Sequence, residues 1–255
     1  NPINLGTAVR EVRVDPGLGG DSGSLSGFLS GTGGLNKTGA GTLILAGTDA
    51  CTGPTTVTAG ELVVTGTTSG THAGTTISVL AGASLGGTGS IGARVTVAGG
   101  TNSSSAGTIN LVDGEPGQLT LSDPFATDTA LTLGGTAGNP SQLVFEAGTS
   151  VDNILLQTAG MQVNPGGGGI DIVPLPGLQD GVYGLIDFPA GRASGLANLF
   201  LQDTTLPGGF ELSLQNTSTA VQLVVVPEPA SAAVPALLIA AVCVRRRSNF
   251  AASTD

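Results

Sequence analysis

The chain has no tryptophan, one tyrosine, one histidine and two cysteines, and only 10% of its 255 residues are charged. Each scarcity removes a kind of chemistry. Few aromatics means few of the platforms on which carbohydrate grooves stack sugars, which argues against catalysis on glycans. Basic residues are equally sparse: five lie before position 200, and Arg245, Arg246 and Arg247 form one cluster at the end. The formal net charge is −10, and without the residues after Pro229 it falls to −12. Such a body repels phosphate backbones, so nucleic acid is not an expected partner. Cys51 lies in a repeat-like segment and Cys243 in an apolar tail, positions that fall in different compartments if the tail spans a membrane. No disulfide, redox or zinc chemistry is expected of them. The sequence opens at Asn1 without a charged-then-apolar leader, as expected after removal of a signal peptide or in a fragment.

What is abundant is glycine, 43 residues, together with Thr, Ser and aliphatic side chains. Hydrophobic residues reach 40%, enough to drive folding, and the mixture favours strands and turns over helices. Short apolar runs alternate with Gly/Thr/Ser clusters from Gly31 onward, among them Leu43-Ile44-Leu45, Leu62-Val63-Val64, Val95-Thr96-Val97 and Leu143-Val144-Phe145. They read as strands of three to five residues, and no amphipathic helix pattern occurs before the tail.

A signature Ala-Gly-x-Leu recurs as Ala40-Gly41-Thr42-Leu43, Ala59-Gly60-Glu61-Leu62, Ala81-Gly82-Ala83-Ser84-Leu85 (one residue longer) and Ala106-Gly107-Thr108-Ile109. The last apolar residues are 19, 23 and 24 positions apart. Such intervals fit one coil of a β-solenoid, with glycine at the corner and the apolar residue in a shared stack. An antiparallel β-sandwich also has short strands between turns, but the Asn-Gly and Asp-Gly hairpin turns it favours are scarce here.

The stretch Gly33 to Val64, with Lys37-Thr38-Gly39-Ala40-Gly41-Thr42-Leu43, Thr52-Gly53-Pro54-Thr55-Thr56-Val57 and Ala59-Gly60-Glu61-Leu62, resembles the autotransporter-associated β-strand repeat. Cys51 stands where that repeat usually has Tyr. The resemblance implies a surface-exposed bacterial solenoid. The expected all-β architecture is a parallel β-helix over 1–165, then a β cap or small β-sandwich over 170–226 that covers the open end of the stack. The glycine run Gly166 to Gly169 reads as the break between them.

Val226-Pro227-Glu228-Pro229 precedes an uncharged run, 230–244, and the Arg245-Arg246-Arg247 cluster, leaving 248–255 as a cytoplasmic tail. Fifteen apolar residues are short of the roughly 20 that cross a bilayer, but thinning and arginine snorkelling shorten the requirement. The arginines would stay inside and the β body outside. The order of motif, apolar helix and basic stop over 227–247 resembles the PEP-CTERM sorting signal. That resemblance implies an exosortase-like membrane protease as partner, membrane anchoring before processing, and release to the surface or matrix. A permanent anchor is the alternative.

Other motifs carry less. Gly20-Asp21-Ser22-Gly23 spells a serine-protease nucleophile, but the sole histidine, His72, follows it instead of preceding it. Gly87-Thr88-Gly89-Ser90-Ile91-Gly92 has dinucleotide spacing, with Asp113 at a plausible distance, yet a strand and not a helix follows. Gly31 to Thr38 misses a P-loop because Asn36 stands in place of glycine, and Lys37 reads as part of the surface repeat. Carboxylates at Asp113, Glu115, Asp123, Asp128, Asp171, Asp180 and Asp187 are scattered. No cofactor, catalytic or metal site is expected from them, with calcium at a turn the remaining candidate. The expected function is that of an exported, non-enzymatic structural or adhesive protein, with surface polysaccharide or matrix as candidate contacts. The alternatives are a glycan- or protein-binding adhesin acting through Leu178 to Val226, and an enzyme acting on polysaccharide.

Overall fold

In a segment such as Thr42-Leu43-Ile44-Leu45 every second side chain points to the same side of an extended backbone, and Leu43 and Leu45 are accordingly buried. A computed structural model describes residues 1–17, 21–68, 75–122 and 129–228. In it the chain winds through three strands per coil. The first coil holds β1 (Ile3–Asn4), β2 (Arg10–Arg13) and β3 (Ser22–Leu25), and the second β4 (Leu29–Ser30), β5 (Leu35–Thr38) and β6 (Thr42–Leu45). The third has β7 (Thr48–Asp49), β8 (Thr55–Val57) and β9 (Gly60–Val64), and the fourth β10 (Thr67–Thr68), β11 (Thr76–Val79) and β12 (Ala83–Gly86). The fifth has β13 (Ser90–Ile91), β14 (Arg94–Val97) and β15 (Thr108–Asn110), and the sixth β16 (Gln118–Leu121), β17 (Thr129–Leu133) and β18 (Ser141–Ala147). β19 (Asn153–Leu156), β20 (Gly160–Val163) and β21 (Gly168–Pro174) make the seventh, and β22 (Gly181–Asp187), β23 (Ala193–Ser194) and β24 (Leu199–Leu201) the eighth.

Each strand pairs with the strand three places along, so three sheets run the length of the stack. Within the coils that pairing is parallel, from β1 with β4 to β21 with β24. This is a parallel β-helix, and the parallel ladders exclude the antiparallel sandwich. The period read from Ala-Gly-x-Leu is a physical column: Leu43 pairs with Leu62, Leu62 with Leu85, Leu85 with Ile109, and Ile109 with Leu143. All five are buried. Burying a leucine contributes about 1.5–3 kcal/mol, and because each leucine packs on those above and below, the gain is shared between neighbouring coils. The longer third signature is resolved by register, since Ala83 stands opposite Gly60 and Gly82 is the added residue, at φ 79°.

Two expectations need correction. Gly166 to Gly169 does not end the stack, for Gly168 and Gly169 lie inside β21, paired with Ser141 and Gln142. Side chains are unwelcome there: a Cβ at Gly168 would meet Leu199, and one at Gly169 would meet the Gln202 amide. The glycines mark close packing between coils, which resembles a linker in composition alone. The cap therefore starts later than residue 170. It consists of β25 (Thr205–Leu206), β26 (Phe210–Asn216) and β27 (Ala220–Pro227), with β27 antiparallel to both β22 and β26. Leu206, Leu212, Val221, Leu223 and Val225 close the interior at this end.

Pro229, the apolar run 230–244 with its expected transmembrane helix, the Arg245-Arg246-Arg247 stop and 248–255 lie outside the described residues. Among the described residues no helix is long and apolar enough to cross a membrane. Their helical pieces are two 3-10 turns, Ser103–Ser105 and Leu196–Asn198.

Candidate functional site

Lys37, read from the sequence as part of the repeat, has its side chain buried there, at 0% exposure. Alternation in β5 turns it inward beside the corner, where its ammonium donates to the carbonyl oxygens of Thr38 (3.1 Å), Gly39 (2.8 Å) and Ala59 (2.9 Å). An ammonium has three donors, and all three are used. Ala59 belongs to the next coil, so the lysine staples the second coil to the third. Burial lowers its pKa below the ordinary lysine value, with Asp15 and Glu61 pushing it back up. The site is structural.

The corners that lead from the third strand of one coil to the first strand of the next are longest late in the stack. They stack as Gly114–Pro116, Gly148–Ser150 and Leu175–Pro176 around an open cleft of about 410 Å³. Two buried carboxylates hold the first of these corners from behind. Glu146 Oε2 accepts from the Asp113 N–H (3.1 Å) and the Gly114 N–H (2.8 Å). Asp152 Oδ1 accepts from the Gly117 N–H (2.7 Å) and its Oδ2 from the Glu146 N–H (2.6 Å). Asp113 Oδ1 completes the loop by accepting from the Glu115 N–H at 3.2 Å. Burial raises the Asp152 pKa, opposed by its two N–H donors and supported by the charges of Glu146 and Asp113. Glu146 and Asp152 are residues that sequence reasoning passed over. The available signal was a carboxylate ending the apolar run Leu143-Val144-Phe145.

Of the residues expected to direct sorting, Val226 and Pro227 end β27, where they pair with Glu211 and Phe210. The Glu228 N–H donates to the Gly209 carbonyl at 2.7 Å, and all three residues are exposed. Asp21 and Ser22 are exposed at the start of β3, while His72 lies outside the described residues. Gly87 and Gly89 form the corner into β13, and strand β14 follows where a nucleotide site requires a helix. Asp123 and Asp128 lie outside the described residues, and among those described no group of three or more His, Cys, Asp or Glu side chains is placed to hold a metal ion. Cys51 is a buried free thiol, pushed up to about 12 by burial and by Asp49. A thiol in that state is inert at neutral pH.

The coil geometry makes this a β-solenoid with a closed C-terminal end. Residues 35–64, from the start of β5 to the end of β9, match the model of the passenger-associated-transport-repeat. The repeat supports the autotransporter-type reading of this segment and points to an exported surface chain. A comparison with curated proteins found no match.

Proposed function

We propose that the protein is an exported, non-enzymatic solenoid of the bacterial surface or extracellular matrix, structural or adhesive in action. The observation that carries this reading is the passenger-type repeat at 35–64 built into an eight-coil stack. Such a stack works by geometry: it is a stiff, acidic, hydroxyl-rich rod that presents long faces for contact. In this reading the tail is a sorting device. The 230–244 run holds the chain in the membrane with Arg245-Arg246-Arg247 inside, and an exosortase-like protease cuts at or near Val226-Pro227-Glu228-Pro229. Exposure of Val226, Pro227 and Glu228 at the free end of the last strand is compatible with access by such an enzyme.

The test is the C-terminal peptide of protein recovered from cells and from medium, read by mass spectrometry. The expected result is a new C-terminus near Pro227-Glu228-Pro229 on surface or released protein. A chain ending at Asp255 and held in the membrane would replace processing with a permanent anchor, and a chain found wholly in the cytoplasm would end the export reading.

A further inference from the structure

The cleft between the late corners differs from the rest of the surface in how it is built. A turn exposed to water needs no buried charge, because water satisfies its N–H groups. Here Glu146 and Asp152 are 2% and 1% exposed and direct oxygens to the main chain of the 113–117 corner, one of the three that line the cleft. Removing carboxylates from water is costly unless hydrogen bonds offset it, and what this arrangement achieves is a fixed shape for one loop that faces solvent. Preorganised loops backed by a second layer of hydrogen bonds are what a binding site needs.

The lining selects the ligand. No lysine or arginine borders the cleft and Glu115 does, in a strongly acidic body, so phosphates and uronates are repelled. Pro116, Leu175 and Pro176 offer an apolar wall, and Thr149 and Ser150 offer hydroxyls that both donate and accept. Gly114 has open space where a Cβ would stand, so a ligand can approach the backbone there. An apolar wall facing hydroxyls and a carboxylate matches a pyranose, which has a C–H face and a rim of hydroxyls. We propose that the cleft formed by Gly114–Pro116, Gly148–Ser150 and Leu175–Pro176 binds a neutral, hydroxyl-rich sugar unit of a surface or matrix glycan. The Glu115 carboxylate accepts from adjacent sugar hydroxyls, and the ring lies on the proline–leucine wall. Lacking an aromatic platform, the site binds weakly, with Kd on the order of 0.1–1 mM. Repetition of the protein on a surface raises the avidity.

The proposal rests on the adhesive form of the reading above, and its test is separable from it. The purified full chain is titrated by calorimetry and by saturation-transfer NMR with neutral oligosaccharides of glucose, galactose and mannose. Oligomers of glucuronate serve for comparison. Saturable binding of a neutral oligosaccharide is expected, about tenfold weaker in Glu115→Ala and abolished in Ser150→Met, which fills the cleft with an aliphatic chain from an exposed position. Melting curves of both variants should match the parent, and Thr149→Ala, a smaller change, should weaken binding without touching the fold. Absence of binding to every neutral oligosaccharide overturns the proposal. So does binding that survives Ser150→Met, or glucuronate binding more tightly. Because export is read from the C-terminal peptide in cells, a processed surface protein that binds no sugar would sink this inference alone.

Discussion

Replacing Lys37 with methionine isolates the ammonium, because the apolar stem of the side chain is nearly conserved. The change leaves the carbonyls of Thr38, Gly39 and Ala59 facing a methyl group. An unsatisfied buried polar group costs about 1–3 kcal/mol. All three residues are only partly buried, so water can reach them and the low end applies. The Thr38 carbonyl keeps the Val14 N–H at 3.0 Å, so two groups at about 1 kcal/mol each give a loss of about 2 kcal/mol, or roughly 4–8 °C in Tm for a chain of this size. Urea titration followed by circular dichroism would measure it, with Lys37→Arg as a variant that keeps charge but not shape. The pH dependence has a definite sign. Burial puts the folded-state pKa of Lys37 below that of the unfolded chain, so the unfolded state binds the proton more tightly. The stability difference between the parent and Lys37→Met should therefore widen as pH rises through the folded pKa toward 10.5, the ordinary lysine value. A loss under about 0.5 kcal/mol, the range of ordinary surface substitutions, would refute the staple.

Gly60 and Gly82 both have positive φ, yet a Cβ at Gly60 would strike the Gly39 and Gly41 carbonyls and Lys37 Nζ, whereas one at Gly82 meets nothing within 4 Å. Gly60→Ala should cost about 3 kcal/mol in thermal denaturation and Gly82→Ala only the backbone strain of about 1 kcal/mol. With its pKa moved from 9.0 to about 12, the Cys51 thiol should react with iodoacetamide at pH 8 about a thousandfold more slowly than a free thiol until urea unfolds the chain. Equal rates, seen by mass spectrometry, would contradict its burial. Asp152 has a folded-state pKa above its unfolded one, so its contribution is full below the unfolded value and is lost as pH rises through the folded value. Asp152→Asn removes that contribution, and the parent–variant stability gap from denaturant melts should be larger near pH 4 than at pH 7.

The coil stack was legible because each coil needs an apolar residue in the same column, and that requirement leaves a spacing. Leu43, Leu62, Leu85 and Ile109 reveal it in the sequence and pair in the structure. Past Ile109 the column continues through Leu143 and Ile170, but the corners grow and the interval no longer recurs. Gly166 to Gly169 was misread for a related reason: composition cannot separate a glycine that frees the chain from one that admits a neighbouring Leu199 or Gln202. The burial of Lys37 has no signal in the sequence, since lysine is usually exposed, and the three converging carbonyls explain it. The cleft was invisible in the sequence because its parts come from three coils, and Asp113 and Glu115 looked scattered until Glu146 and Asp152 were placed behind them.

In a parallel β-helix the ladder hydrogen bonds run along the stack axis. Tension applied between the cap end and the first coil therefore loads these bonds one rung at a time, as a zipper is loaded, and does not shear many together. The terminal coil gives way first and pays out its own contour before the next is strained. A coil such as Leu43 to Leu62 releases little chain, while one such as Ile109 to Leu143 releases far more. At about 3.3–3.6 Å per residue, a rod of this kind pulled from its tail end would lengthen in uneven steps, the longest coming early. A surface protein built this way yields gradually under load and keeps its far coils wound.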